Sequence, residues 1–202
     1  MLLSAEIRLF WFDNKPADLE NWFMNEAVHR CAAGGPEERT DIYLSDPHQT
    51  ELGVKTRGEK PGVEVKGLIA TLNATIEIAS YKIPTELWSK WSSSTLGFDP
   101  KTGVKVHKKR WLRKFDTTGS RPAEVPRDRM PPKGCNVEWT IVETPPGETC
   151  WTLGFEAFGK LDDVEDSLRS VAAVIRYRNP PPSPGAQSLS YPEWLANRAK
   201  ST

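Results

Sequence analysis

Residues 39 to 66 read R-T-D-I-Y-L-S-D-P-H-Q-T-E-L-G-V-K-T-R-G-E-K-P-G-V-E-V-K, and they decide the fold. Three short runs in this stretch alternate strictly. In the first, Arg39, Asp41 and Tyr43 oppose Thr40, Ile42 and Leu44; in the second, Glu51, Gly53, Lys55 and Arg57 oppose Leu52, Val54 and Thr56; in the third, Glu64 and Lys66 oppose Val63 and Val65. A period of two is that of a β-strand, so each strand has one charged and one aliphatic face. Such alternation ordinarily marks an antiparallel sheet whose charged face meets water. Here Arg and Lys occupy successive same-side positions where Thr, Ser and Gln would be usual. That suits a sheet closed into a barrel, with helices over the aliphatic outside and charges lining a central tunnel.

The rest of the chain bounds the reading. At 202 residues it suits one domain with a sizeable core. Lys plus Arg (27) balances Asp plus Glu (27), and the pI is about 6.8, so no nucleic-acid or membrane partner is expected and any anion site is local. No run approaches the roughly 18 apolar residues of a spanning helix, and a cytoplasmic protein, monomer or homodimer, is expected. Cys31, Cys135 and Cys150 lack metal or redox spacing and read as small core residues without a disulfide.

Outward from the central block, Glu6, Arg8 and Phe10 alternate with Ile7, Leu9 and Trp11 as a first strand. A helix follows, with Asp13 or Asn14 as its cap, Pro16 in its first turn and Leu19, Trp22, Phe23 and Ala27 as its apolar stripe, ending at Gly34-Gly35. After a strand at Ile76 and Ile78, Pro84 is expected to open a short helix through Trp88 and Trp91. Val104 to Phe115 begins as a strand carrying Lys105, His107, Lys108, Lys109, Arg110, Arg113 and Lys114, whose inward set the pattern leaves open. Residues 119 to 134, rich in Pro and charge, are expected to form a long mobile loop able to act as a lid.

Two late runs form a hairpin through T-P-P-G. Pairing through that turn sets Glu138 opposite Gly154, with Glu156 on the diagonal at about 7 to 8 Å. A helix from about 162 to 177 carries acidic residues at its N-terminus and a stripe of Val164, Leu168, Val171, Ala172 and Ile175. N-P-P-P-S-P-G reads as a stiff linker before a short docking tail. The expected architecture is mainly β (α+β): a closed or nearly closed antiparallel barrel over residues 1 to 178, then a linker and tail over 179 to 202.

With those residues in view, the chain resembles the CYTH superfamily, the triphosphate tunnel enzymes. The likeness rests on an acidic first strand, the block L-G-V-K-T-R-G followed by G-V-E-V-K, the basic run H-K-K-R, and late strands with inward carboxylates. It spans roughly residues 6 to 176. The family's first strand reads E-x-E-x-K; here Glu6 matches the first carboxylate, Arg8 stands at the second, and Phe10 replaces the lysine. The resemblance implies phosphate binding by Lys55, Arg57, Lys66, Lys108 and Arg110, to which Arg8 and Arg39 are added from their faces. It implies catalytic and metal-ligating roles for Glu6, Glu138 and Glu156, with Mg²⁺ or Mn²⁺ as cofactor.

On that basis the expected function is metal-dependent hydrolysis of a small-molecule triphosphate or polyphosphate: inorganic, thiamine or nucleoside triphosphate. Guanidinium and ammonium donors in a water-poor tunnel hold such anions through charge-assisted hydrogen bonds, and a divalent cation would offset the carboxylates and polarise phosphorus. Three alternatives stand beside it. One is a non-catalytic phosphate, polyphosphate or nucleotide-binding module of the same fold. Another is an internal salt-bridge network in which Asp41 faces Lys55 and Arg57 faces Glu64. The third is an interaction protein built on exposed Trp88, Trp91 and Trp194.

Overall fold

The computed structural model describes residues 2–26, 35–58 and 62–200. Its strands are β1 (Leu2–Trp11), β2 (Glu37–Leu44), β3 (Leu52–Arg57), β4 (Val63–Ile78), β5 (Tyr81–Ser93), β6 (Val104–Asp116), β7 (Ala123–Val125), β8 (Gly134–Thr144), β9 (Glu148–Gly159) and β10 (Gln187–Ser188). Eight of them run in the order β1-β5-β4-β3-β2-β6-β8-β9, and β9 pairs back with β1, so the antiparallel sheet closes into a barrel. Closure leaves no long unpaired edge, and it divides every strand into an inner and an outer set of side chains.

The three alternating runs of the central block become β2, β3 and the start of β4, in register Asp41 with Arg57 and Lys55 with Glu64. The strand expected around Ile76 is continuous with the third run: β4 is 16 residues long and bends at two register shifts. The short helix expected from Pro84 is instead β5. A two-residue turn at Ala79 and Ser80, both with positive φ, folds β5 directly back on β4. Pro84 is tolerated because it lies at the second register shift, between Leu72 and Thr75, where the ladder is already interrupted.

Two helices cover the aliphatic outside. Helix α1 (Ala17–Asn25) buries Leu19 and Phe23, and α2 (Leu161–Tyr177) buries Val164, Leu168, Val171, Ala172 and Ile175. Together with Ile7, Leu9, Trp11, Val137, Trp139, Leu153 and Phe155 they form the main core. Burying such side chains stabilises by about 1.5–3 kcal/mol each relative to exposure, so this layer supplies most of what holds the barrel. Ala27, Cys31 and Gly34 lie outside the described residues.

A second, smaller apolar cluster fills one end of the barrel. Helix α3 (Tyr191–Lys200) places Trp194 and Leu195 against Phe10, Tyr43, Val106, Val142 and Cys150. The Trp194 and Phe10 rings stack at 5.5 Å between centroids. The expected open tunnel is therefore a cavity closed at this end, and the residues after the Pro-rich stretch supply the closure. Trp194 and Trp88 are buried, leaving Trp91 alone of the three exposed tryptophans expected.

The basic loop expected to be mobile is fastened. Residues 123–125 pair with β6 as β7. The Lys114 ammonium donates to the carbonyls of Arg127 and Arg129 at 2.6 and 2.8 Å. Glu124 is held by Arg113 and Arg178, both at 2.8 Å. Cys135 and Cys150 are free and buried.

Candidate functional site

The inner faces of the barrel strands enclose a cavity of about 110 Å³. All ten residues singled out from sequence line it: Glu6, Arg8, Arg39, Lys55, Arg57, Lys66, Lys108, Arg110, Glu138 and Glu156. Inward projection follows from the period of two, and Lys108 and Arg110 fall on the same face of β6 as Val106. Lys109 is on the opposite face, where it pairs with Glu38 at 3.2 Å.

Glu86, Trp88 and Lys90 also line the cavity. The sequence reading does not reach Glu86 and Lys90, because Pro84 also suits a helix start. The signal that would have found them is their own alternation with Thr85, Leu87 and Ser89. From the tail, Tyr191 lies over the Arg8 guanidinium at 4.7 Å and over Lys108 Nζ at 3.6 Å.

Ion pairs tie the wall together in three groups. At the centre is Asp41, fully buried, with Lys55 at 3.0 Å, Arg39 at 3.1 Å and Lys108 at 3.3 Å. Burial alone would raise the Asp41 carboxyl, but Lys108, Lys55 and Arg39 together hold it far below the usual range. Lys108 also donates to Tyr43 Oη at 2.7 Å. Its burial drives its amine well below an ordinary lysine, with Lys55 adding to the effect and Asp41 opposing it.

The second group is a shared acid. Glu64 accepts from Arg57 at 2.9 Å and lies 3.6 Å from Lys55 and 3.8 Å from Lys90. The facing pairs expected from the hairpins, Asp41 with Lys55 and Arg57 with Glu64, are thus both present, within a network larger than two pairs.

The third group is Glu138, clamped between Arg8 and Arg110, the latter at 3.0 Å. Burial opposes its ionisation, and the two guanidinium groups overcome that and push its carboxyl well down. Gly154 makes the clamp possible. It stands directly opposite both Arg8 and Glu138, and a Cβ there would lie 2.5 Å from Arg8 Cζ. Arg110 continues to Glu37 at 2.5 Å, and Glu37 in turn accepts from Arg39 at 2.6 Å. Against the cost of burial, these contacts pull the Glu37 carboxyl down to about 2.

A row of carboxylates crosses β5, β1 and β9. Glu6 on β1 is directly opposite Glu86 on β5 and Glu156 on β9. Like charges facing across a ladder are unfavourable unless something offsets them. Glu6 has Lys66 and the Ser4 hydroxyl. Glu86 accepts from Trp88 Nε1 at 2.9 Å, and burial, with Glu6 adding to it, raises its carboxyl. Glu156 has no ion pair among the described residues.

The expected metal set does not converge. Both oxygens of Glu138 are taken by arginines, Arg8 of β1 and Arg110 of β6. No group of three or more His, Cys, Asp and Glu side chains among the described residues is arranged to hold a metal ion. As the side chains stand, Glu6, Glu138 and Glu156 do not fit a shared Mg²⁺ or Mn²⁺.

Cations exceed acids on the cavity surface: Arg8, Arg39, Lys55, Arg57, Lys66, Lys90, Lys108 and Arg110 against Glu6, Glu64, Glu86, Glu138 and Glu156. In two of these side chains the guanidinium Nε, that of Arg57 and that of Arg110, is buried with no acceptor among the described residues. No helix among the described residues is long and apolar enough to cross a membrane. No family model matches the chain, and no curated protein matches it.

Proposed function

We propose that this barrel binds a condensed phosphate, an inorganic triphosphate or polyphosphate or the phosphate chain of a larger triphosphate, in its closed-ended cavity. The observation that carries the reading is the wall of eight basic side chains around the cavity, in two of which, Arg57 and Arg110, the buried Nε–H has no acceptor among the described residues. Buried donors are nearly always satisfied in native proteins, and a multivalent oxyanion supplies acceptors of the right kind in number. In the ligand-free protein the interior carboxylates hold the cations in place. An entering phosphate chain competes with Glu64 and Glu37 for Lys55, Arg57, Lys90 and Arg110, which are already desolvated and oriented. The resemblance to the triphosphate tunnel enzymes supports the same ligand class.

Titration calorimetry with tripolyphosphate, repeated with orthophosphate and at rising salt, tests this reading. One saturable site that prefers the longer chain and weakens with ionic strength is the expected result; no saturable heat would remove the reading.

Metal-dependent hydrolysis of the bound triphosphate is the second reading, and one observation favours it. Asn136, opposite Glu156, has a buried side-chain oxygen with no donor among the described residues. Glu6, Glu156 and the Asn136 carbonyl oxygen are hard donors of the kind Mg²⁺ or Mn²⁺ prefers, and a bound ion would supply charge to polarise phosphorus. Phosphate release from tripolyphosphate, thiamine triphosphate and nucleoside triphosphates, with and without each metal, tests it. Hydrolysis lost in Glu156→Gln supports it, and binding without turnover leaves the binding module.

A further inference from the structure

We propose that Lys55 is a covalent capture site, whose amine condenses with the carbonyl group of a small phosphorylated aldehyde to form an imine inside the cavity. The proposal rests on the anion-binding reading for the delivery of the aldehyde, and on the setting of Lys55 for the chemistry.

Lys55 projects from β3 into the cavity with its side chain 14% exposed. The groups around it come from four strands. Arg39, Asp41 and Tyr43 approach from β2, Arg57 from its own strand, Glu64 from β4, and Lys108 from β6. Asp41 serves Lys55 at 3.0 Å and Lys108 at 3.3 Å, so one carboxylate must support two ammonium groups as well as Arg39. A desolvated lysine beside other cations is the usual setting of an amine that gives up its proton and acts as a nucleophile.

Burial lowers Lys55 to about 8; Asp41 and Glu64 oppose the shift, and Arg57 and Arg39 add to it. Relative to an ordinary lysine, that raises the unprotonated fraction at neutral pH by about 300-fold. Lys108 is lowered further but is closed off, with its ammonium under the Tyr191 ring at 3.6 Å and its side chain 4% exposed. Of the two cavity amines that burial lowers in this cluster, Lys55 is the more open.

The ligand class follows from the neighbours. A phosphate resting on Nζ itself would hold the proton there and block attack. On Arg57, the next inward residue along the strand and about 6.6 Å away by strand rise, it leaves the amine free. A two- or three-carbon aldehyde phosphate spans that separation. In the step, the Nζ lone pair bonds to the carbonyl carbon, two N–H protons pass to the carbonyl oxygen, that oxygen leaves as water, and a C=N bond remains. No oxidant or reductant is needed.

The test is reductive trapping on the full chain. The protein is incubated with glycolaldehyde phosphate and cyanoborohydride, with unphosphorylated glycolaldehyde in parallel, and adducts are mapped by peptide mass spectrometry. The phosphorylated probe is expected to modify Lys55 at least about tenfold faster than exposed Lys82 and Lys101, with a smaller preference for the neutral probe. Lys55→Arg should lose the adduct while Lys82 and Lys101 are labelled at their wild-type rates and the urea-unfolding midpoint shows the barrel intact. Modification of Lys55 no faster than Lys101, or undiminished labelling of the cavity in Lys55→Arg, would overturn the proposal. The two ideas separate cleanly: tripolyphosphate binding without selective labelling removes covalent capture and leaves the binding site. Selective labelling without tripolyphosphate binding does the reverse.

Discussion

Arg8 lies directly across the ladder from Gly154, and the missing side chain at 154 is what allows its guanidinium to cross β9 and reach Glu138. A Cβ at 154 would meet only the far end of a flexible side chain, so the steric conflict itself is cheap. The cost of Gly154→Ala lies in displacing Arg8 from a buried carboxylate. Glu138 keeps Arg110, so the expected loss is about 1–3 kcal/mol by urea unfolding. In an Arg8→Met background the same change should cost much less, because no pair is left to break. Equal costs in both backgrounds would show that the glycine is not there for Arg8.

Asp41 is the anchor of the basic wall. Asp41→Asn should destabilise the protein by about 3 kcal/mol at neutral pH, since Lys55, Lys108 and Arg39 lose their common counter-ion. The penalty should shrink by pH 9, where Lys55, lowered to about 8, can shed its charge. The sign for wild type follows. Its Asp41 is ionised in the fold at a pH where the unfolded carboxyl is protonated, so this stabilisation is present at neutral pH and is lost as pH falls through the depressed folded value. Lys55 has a slope of the same sign in a higher window: between about 8 and its ordinary 10.5 the unfolded chain binds more protons, so stability rises with pH there too. Unfolding free energies for both proteins across pH 2 to 10 check these slopes.

Phosphate affinity should carry the same signature. As pH rises through about 8 the Lys55 charge is lost, and tripolyphosphate binding should weaken relative to Lys55→Arg, whose guanidinium stays protonated. Comparing the two proteins at each pH cancels the ionisation of the ligand. A constant affinity ratio from pH 7 to 9.5 would show that Lys55 does not contact the anion.

Much of this was legible in the sequence because a strand fixes direction with a period of two. Once 39–66 is read as strands, Lys55, Arg57, Glu64 and Lys66 must share a side, and the T-P-P-G turn sets Glu138 against Gly154, as observed. What failed were places where a local signal had two structural outcomes. Pro84 suits a helix start or a bulge, and only its partner strand decides, so Glu86 and Lys90 were missed. The contact between Arg8 and Glu138 was not legible either, since it depends on the absent Cβ at 154 and on pairing 146 residues away in sequence. The closure by Tyr191 and Trp194 is a long-range contact with no periodic signature at all.

The most direct test of the central claim is calorimetric titration of tripolyphosphate into wild type, Arg57→Ala and Lys101→Ala. Arg57 lines the cavity and its Nε–H has no acceptor among the described residues, whereas Lys101 sits in an exposed turn. One site in the wild type, unchanged in Lys101→Ala and weakened by about 10- to 150-fold in Arg57→Ala, is the expected result, corresponding to about 1.5–3 kcal/mol for a charged hydrogen-bonding group. Equal affinities in all three proteins, or no saturable binding in wild type, would contradict a phosphate site inside the barrel.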